Sequence, residues 1–407
     1  MQKTKLRNYA KLIAQKGANI QKNQPVIINC ELDQPEFIEI LVDECYKAGA
    51  LSVDVKWTHL PLTKLNVRHK SQKELSRVFD WEFEQIKHYK DTLPAMIYIL
   101  SEDPDGLKGV NPQKMSKALQ IRRKAFKPYR DEMDNKYQWC IAAVPSVKWA
   151  KKLFPDSSKK QAVEKLWQAI LSCSRADGDA ILNWEQHNKT IAEKCKYLNN
   201  LELEFLEYSS SNGTNLKVGL IDGTEFLGGV GTTTQGIEYN ANIPTEEVFI
   251  SPKKGVAEGI VYSTKPLSYQ SQLIENFSLT FKGGKVIEYK AEKNEELLGK
   301  LLDMDENAAF LGECALVPYN SPINESGLLF YNTLFDENAC CHLALGAGFN
   351  NCVKGYEQKT FDECKDMGIN DSIVHEDFMI GSEDLSIIGI TKSGKKVHIF
   401  KDGVWAF

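Results

Sequence analysis

The sequence predicts an α/β N-terminal domain built on a parallel sheet, followed by an α+β, β-rich C-terminal domain. Two observations carry this expectation. Strand and helix patterns alternate along the first part of the chain, and beyond a turn-rich stretch at residues 209–215 (SSSNGTN) the texture changes to many short β-type runs. The expected division is residues 1–195 for the first domain and 196–407 for the second.

Taken in order, residues 24–30 (QPVIINC) form a short apolar strand after turn residues. Residues 35–48 (PEFIEILVDECYKA) have helical periodicity, with Pro35 at the start and Gly49 just past the end. Residues 51–57 (LSVDVKW) alternate as a strand and complete a βαβ unit, which 95–100 (AMIYIL) and 138–144 (QWCIAAV) extend into a sheet. Two polar-faced helices are expected over 159–173 and 183–201. The second domain opens with strand patterns at 216–220 and 259–262, then a hairpin from 278–281 through KGGK (282–285) to 286–289. A last hairpin, 387–390 and 397–400, turns at KSGK (392–395).

Composition narrows the function classes. The 407 residues are 42% hydrophobic and 26% charged, ordinary for a soluble globular chain. A net charge of −5 gives no basic footprint for nucleic acid. No apolar run approaches the ~20 residues of a membrane-spanning helix, so no membrane partner is expected. The N-terminal MQKTKLRNYAKLIAQKGANI is basic and amphipathic but lacks the uninterrupted apolar stretch of a signal peptide. The 10 cysteines then read as reduced thiols in a cytoplasmic protein, and no Cys-x-x-Cys pair suggests a cysteine zinc cage.

The residues that could do chemistry are acids and histidines in apolar settings. In residues 373–380 (IVHEDFMI), strand alternation puts His375 and Asp377 on one face and Glu376 on the other. Glu313 is a lone acid in FLGECALVP (310–318), Glu246 and Glu247 sit in ANIPTEEVF (241–249), and His342 adjoins the small, apolar run LALG (343–346). A buried carboxylate needs a partner. Lysine and arginine are absent from 307–345 and from 370–385. A divalent cation is one candidate partner, since imidazoles with carboxylates suit zinc, cobalt or manganese. Satisfied core histidines with buried ion pairs are the other. The Gly228-Gly229-Val230-Gly231 run is a weak match to a phosphate loop, because strands rather than a helix follow it.

Taken together, residues 241–249, 263–270 (STKPLSYQ), 311–318 (LGECALVP), 329–339 (LFYNTLFDENA), 341–346 (CHLALG) and 370–382 (NDSIVHEDFMIGS) resemble the aminopeptidase T / aminopeptidase S family of metallopeptidases. Residues 139–145 and 149–155 are similar too. The resemblance implies a metal-dependent aminopeptidase that releases N-terminal residues from peptides by means of a water activated between two divalent metal ions (Zn, Co or Mn). Its metal ligands fall on Glu247, Glu313, His342, His375 and Asp377, all within the 196–407 domain, which becomes the catalytic one. Glu246 is the candidate catalytic base, next to Glu247. The family also implies a homodimer.

One departure stands out. The family's tyrosine seven residues after the first histidine is replaced by Phe349, which offers no oxygen; Tyr356 is the nearest alternative hydroxyl in sequence. Two other classes compete with the aminopeptidase: another dinuclear metallohydrolase, such as a dipeptidase or amidase, and a non-catalytic relative that binds peptides.

Overall fold

The computed structural model describes residues 3–101, 103–270 and 272–407. The chain divides into two compact units, Met1–Glu185 with Val230–Pro244, and Gln186–Gly229 with Thr245–Phe407.

In the first unit, β1 (Pro25–Glu31), β2 (Ser52–Thr58), β3 (Ala95–Leu100) and β4 (Trp139–Ala143) form a parallel sheet in the order β2-β1-β3-β4. The helix between β1 and β2, α1 (Pro35–Ala48), begins at Pro35 and ends on Gly49, whose φ of 113° is open to glycine and strained for other residues. Phe37, Ile38, Leu41 and Cys45, which recur on one face of the helix, belong to its buried stripe. This is the expected α/β domain with its parallel sheet.

The second unit is strand-rich. Its larger sheet has nine strands and is antiparallel throughout; residues 203–209 and 215–220 pair at its centre, with 386–391 on one side and 252–262 on the other. The expected hairpin turns at Gly283 and Gly284, both with positive φ, joining 272–282 to 285–293.

A smaller sheet carries the candidate chemistry. It contains β5 (Val248–Ile250), β6 (Leu311–Leu316), β7 (His342–Gly346) and β8 (His375–Met379), antiparallel and ordered β8-β7-β6-β5. Alternation gives it two unlike faces. Val248, Ile250, Leu316, Leu343, Leu345 and Phe378 enter the main hydrophobic core of this unit. Each such side chain contributes about 1.5–3 kcal/mol on burial, which fixes the register and turns Glu313, His342, His375 and Asp377 to the opposite face. In the helix α2 (Ala180–Asn200), Ile191 and Leu198 join the same core. No helix among the described residues is long and apolar enough to cross a membrane.

Candidate metal centre

The polar face of the small sheet gathers the acids and histidines singled out in the sequence. Register pairs Gly346 with His375, Ala344 with Asp377 and with Glu313, and Ala315 with His342 and with Phe249. Small residues at 315, 344 and 346 therefore leave room between the larger polar ones. Glu247 lies one residue before β5 and two before Phe249. A bulge between Leu311 and Glu313 re-aims β6 just ahead of its acid. Gly312 makes this possible: a Cβ there would lie 2.1 Å from the Ala347 carbonyl oxygen.

Two groups of donor atoms result, Glu247–Glu313–His342 and Glu313–His375–Asp377, each with its atoms within 4.8 Å of one another. Glu313 belongs to both. His342 Nε2 is 3.4 Å from Glu247 Oε2, and His375 Nε2 is 3.2 Å from Glu313 Oε2 and 3.3 Å from Asp377 Oδ1. Glu313 and His342 are buried, at 4% and 1% exposure. Among the described residues, no lysine or arginine forms an ion pair with Glu247, Glu313 or Asp377.

The two imidazoles are held in one tautomer. His375 Nδ1–H donates to the Ala347 carbonyl at 2.8 Å, and His342 Nδ1 faces the Cys340 carbonyl at 3.4 Å. A carbonyl oxygen only accepts, so the ring hydrogen sits on Nδ1. In the neutral ring each Nε2 then presents a lone pair to carboxylate oxygens, which is repulsive unless a proton or a metal ion lies between them. Asp377 Oδ1 is buried, close to that nitrogen and without a hydrogen-bond partner. A divalent ion fits this arrangement, with carbonyl-oriented imidazoles and unsatisfied carboxylate oxygens converging on common points.

Where no metal neutralises them, these groups retain protons. Burial disfavours charge on His342, but Glu247, Asp377 and Glu313 outweigh it and push the imidazole up to about 10. The same balance, dominated on the favourable side by Asp377 and Glu313, pushes His375 up to about 12. Burial raises Glu313 to about 7, with Glu247 and Asp377 adding to the effect and His375 opposing it. Asp377 is lowered despite burial, because His375 and His342 favour its charge.

Glu246 stands outside both groups. Its carboxylate Oε1 lies 4.0 Å from His187 Nε2, and its backbone N–H donates to Asn338 Oδ1 at 2.8 Å. A residue that sequence reasoning passed over stands closer to the cluster. Burial raises Glu337 far above the ordinary range, and the charges of Asp377 and Glu247 add to this. The available signal was its place in Asp336-Glu337-Asn338, five residues before His342, in a stretch free of lysine and arginine. A Cβ on Gly228 would lie 2.4 Å from the Glu247 carbonyl oxygen, so its bareness lets the chain pass against the segment bearing that acid.

The sequence matches the family described as thermophilic metalloprotease (M29) over residues 2–405. The chain belongs to the M29 metalloprotease family. Relatives include Aminopeptidase AmpS of Bacillus subtilis (strain 168), 39% identical, with 99% of this chain and 98% of the relative aligned. Aminopeptidase 2 of Geobacillus stearothermophilus is also 39% identical, over 99% and 98% of the two chains. A solved structure, wild-type AmpT from Thermus thermophilus, superposes with a TM-score of 0.92 at 33% identity over 100% of both chains. The cluster of this M29 protein has an aromatic neighbourhood. The Phe349 ring lies 4.8 Å from the His375 imidazole and 5.4 Å from Phe249, while Phe349 N–H donates to Ser251 Oγ at 2.7 Å. Tyr356 packs instead against the satellite cluster of Ile221, Val353, Cys364 and Ile369.

Proposed function

We propose that this metalloprotease is an aminopeptidase releasing N-terminal residues from peptides, with two divalent cations (Zn, Co or Mn) held by Glu247, Glu313, His342, His375 and Asp377. The observation that carries the reading is the pair of donor groups sharing Glu313, each with an imidazole Nε2 aimed at carboxylates. Relatives across the whole length are named aminopeptidases. Bound there, such ions supply an activated water near neutral pH and charge stabilisation for the carbonyl oxygen.

The chain's own groups have distinct tasks. Imidazole Nδ1–H bonds to Ala347 and Cys340 keep each Nε2 available as a ligand. A carboxylate accepts the proton of the attacking water and returns it to the leaving amine. Glu246 is the acceptor expected from sequence, supported by its burial and its place beside Glu247. The field of Asp377 and Glu247 at Glu337 favours Glu337 as a second reading. Glu246→Gln and Glu337→Gln, each compared at full metal content, separate the two: the acceptor's variant keeps its ions and loses turnover.

The deciding experiment strips the protein with chelator, reloads Zn, Co or Mn, and offers aminoacyl-p-nitroanilides and peptides of increasing length. Metal-restored release of N-terminal residues, abolished in His375→Ala, is the expected result. Activity confined to dipeptides or to non-peptide amides would replace the aminopeptidase with another metallohydrolase. Two ions bound with no turnover on any substrate would make it a peptide-binding relative.

The same reading includes a catalytic domain over 196–407, which contains every proposed ligand, a homodimer, and a cytoplasmic location. All 10 cysteines are free thiols, which suits a reducing compartment. Light scattering checks the dimer.

A further inference from the structure

One peptide bond beside the cluster is gripped at both ends by side chains, one fully buried and the other largely so. The Glu246 N–H donates to Asn338 Oδ1 at 2.8 Å, and the Thr245 carbonyl oxygen accepts from His187 Nε2 at 2.7 Å. These are the two polar ends of the single peptide unit joining Thr245 to Glu246, and Glu247 is the next residue. Asn338 is 0% exposed, and its other end is also engaged: Nδ2 donates to Leu334 O at 3.1 Å and to Glu337 Oε1 at 3.3 Å. The amide cannot be turned round, since its oxygen must face an N–H and its NH2 must face a carbonyl and a carboxylate. His187 is equally fixed, because a carbonyl oxygen requires Nε2 to carry the hydrogen.

We propose that Asn338 and His187 are positioning residues for the metal centre, clamping the Thr245–Glu246 peptide so that Glu247 is aimed at the cluster, with Asn338 tying Glu337 to the same support. This rests on reading the cluster as the metal centre. Neither residue touches the donor points; each acts through the backbone or carboxylate it holds. Groups that orient ligands from behind change metal affinity by about 10- to 100-fold when removed, because the ligand must then be ordered at the moment of binding.

The clamp has a built-in structural control. Ser321 is also buried, and its Oγ donates to Ala339 O at 2.6 Å on the same turn as Asn338, but it contacts no member of the cluster. The experiment titrates metal-stripped wild type, Asn338→Ala, His187→Ala and Ser321→Ala with cobalt(II). It follows heat, the visible absorption of the bound ion, and thermal unfolding of the ion-free proteins. All three variants are expected to melt earlier. Only Asn338→Ala and His187→Ala are expected to bind cobalt about 10- to 100-fold more weakly with an altered absorption spectrum. Should Asn338→Ala fail to fold, His187→Ala carries the test alone. Wild-type affinity and spectrum in both clamp variants, or an equal loss in Ser321→Ala, would overturn the clamp while leaving the centre intact. A wild-type protein that binds no cobalt, or binds it unchanged in Glu313→Gln, would end both readings.

Discussion

The His375 ring is anchored from behind by the Ala347 carbonyl, 2.8 Å from Nδ1, so that Nε2 faces Asp377 Oδ1 at 3.3 Å across a gap with no hydrogen bond. The fold thus spends two backbone and side-chain constraints on a contact that is unfavourable without a cation. That cation is either a proton or a metal ion, and the competition between them is measurable.

In the metal-free protein, His342 and His375 have folded-state values raised to about 10 and about 12 from an unfolded 6.5. Raised values mean the folded state binds protons more tightly, so their stabilising contribution is complete below pH 6.5 and is lost as pH rises through about 10. Glu313, raised to about 7, changes stability in the same direction. Thermal unfolding of chelator-treated protein should therefore show a melting temperature that falls between about pH 6.5 and 10, and metal-loaded protein should resist that fall. A metal-free melting temperature that rises over this range would refute the proton-holding cluster.

Glu313 is the donor common to both groups, whereas Glu247 belongs to one. Glu313→Gln should weaken binding of both ions and lower kcat/KM on the order of 10³-fold, several kcal/mol of lost stabilisation. Glu247→Gln should spare the ion beside His375. Metal analysis after dialysis distinguishes the two, and equal residual stoichiometry in both variants would argue against a shared ligand.

Phe349 meets the His375 imidazole with an apolar ring, 4.8 Å between centroids. Phe349→Tyr adds one hydroxyl at this wall. The expected result is a kcat raised several-fold, with KM within about twofold and a stability change below about 1 kcal/mol. Steady-state kinetics on one aminoacyl-p-nitroanilide, with matched metal content, gives the answer. An unchanged or lowered kcat would mean that the ring, not a missing oxygen, is what this site requires.

Gly228→Ala would put a methyl group 2.4 Å from the Glu247 carbonyl oxygen and 3.0 Å from Ile191. Neither backbone nor core can yield freely, so a loss of about 1–3 kcal/mol is expected, together with weaker metal binding through displaced Glu247. Urea denaturation of the variant against wild type, with a metal titration of both, decides it.

Some of this was legible in the sequence for definite physical reasons. His375 and Asp377 share a face because strand side chains alternate, and β8 is a regular strand. Glu313 drew notice as one acid in a strand whose residues are all buried. The limits of α1 were readable because Pro35 and Gly49 restrict the backbone locally. Other features depend on tertiary packing. The helices Leu60–His69 and Asp80–Thr92 were not read, and they bury only Val67 and no residue respectively, leaving too little apolar stripe to recognise. Glu337 lies in a short helical turn without strand or helix periodicity, so nothing local marks its direction. His187 lies in a polar-faced helix with nothing local to mark it, and its bond to the Thr245 carbonyl links positions 58 residues apart.

The two-faced sheet has a consequence for how the protein matures. Its four short strands are drawn from residues 248–379, and a slip of one residue in the strands bearing Glu313, His342 or Asp377 would exchange greasy side chains for polar ones. The paired register is the one that brings the candidate donor groups together. On the proposed reading, metal supply would act as a proofreader of strand pairing: free-energy gain on binding accrues to molecules already in register, and scarcity of metal should appear first as misassembled protein rather than as idle enzyme.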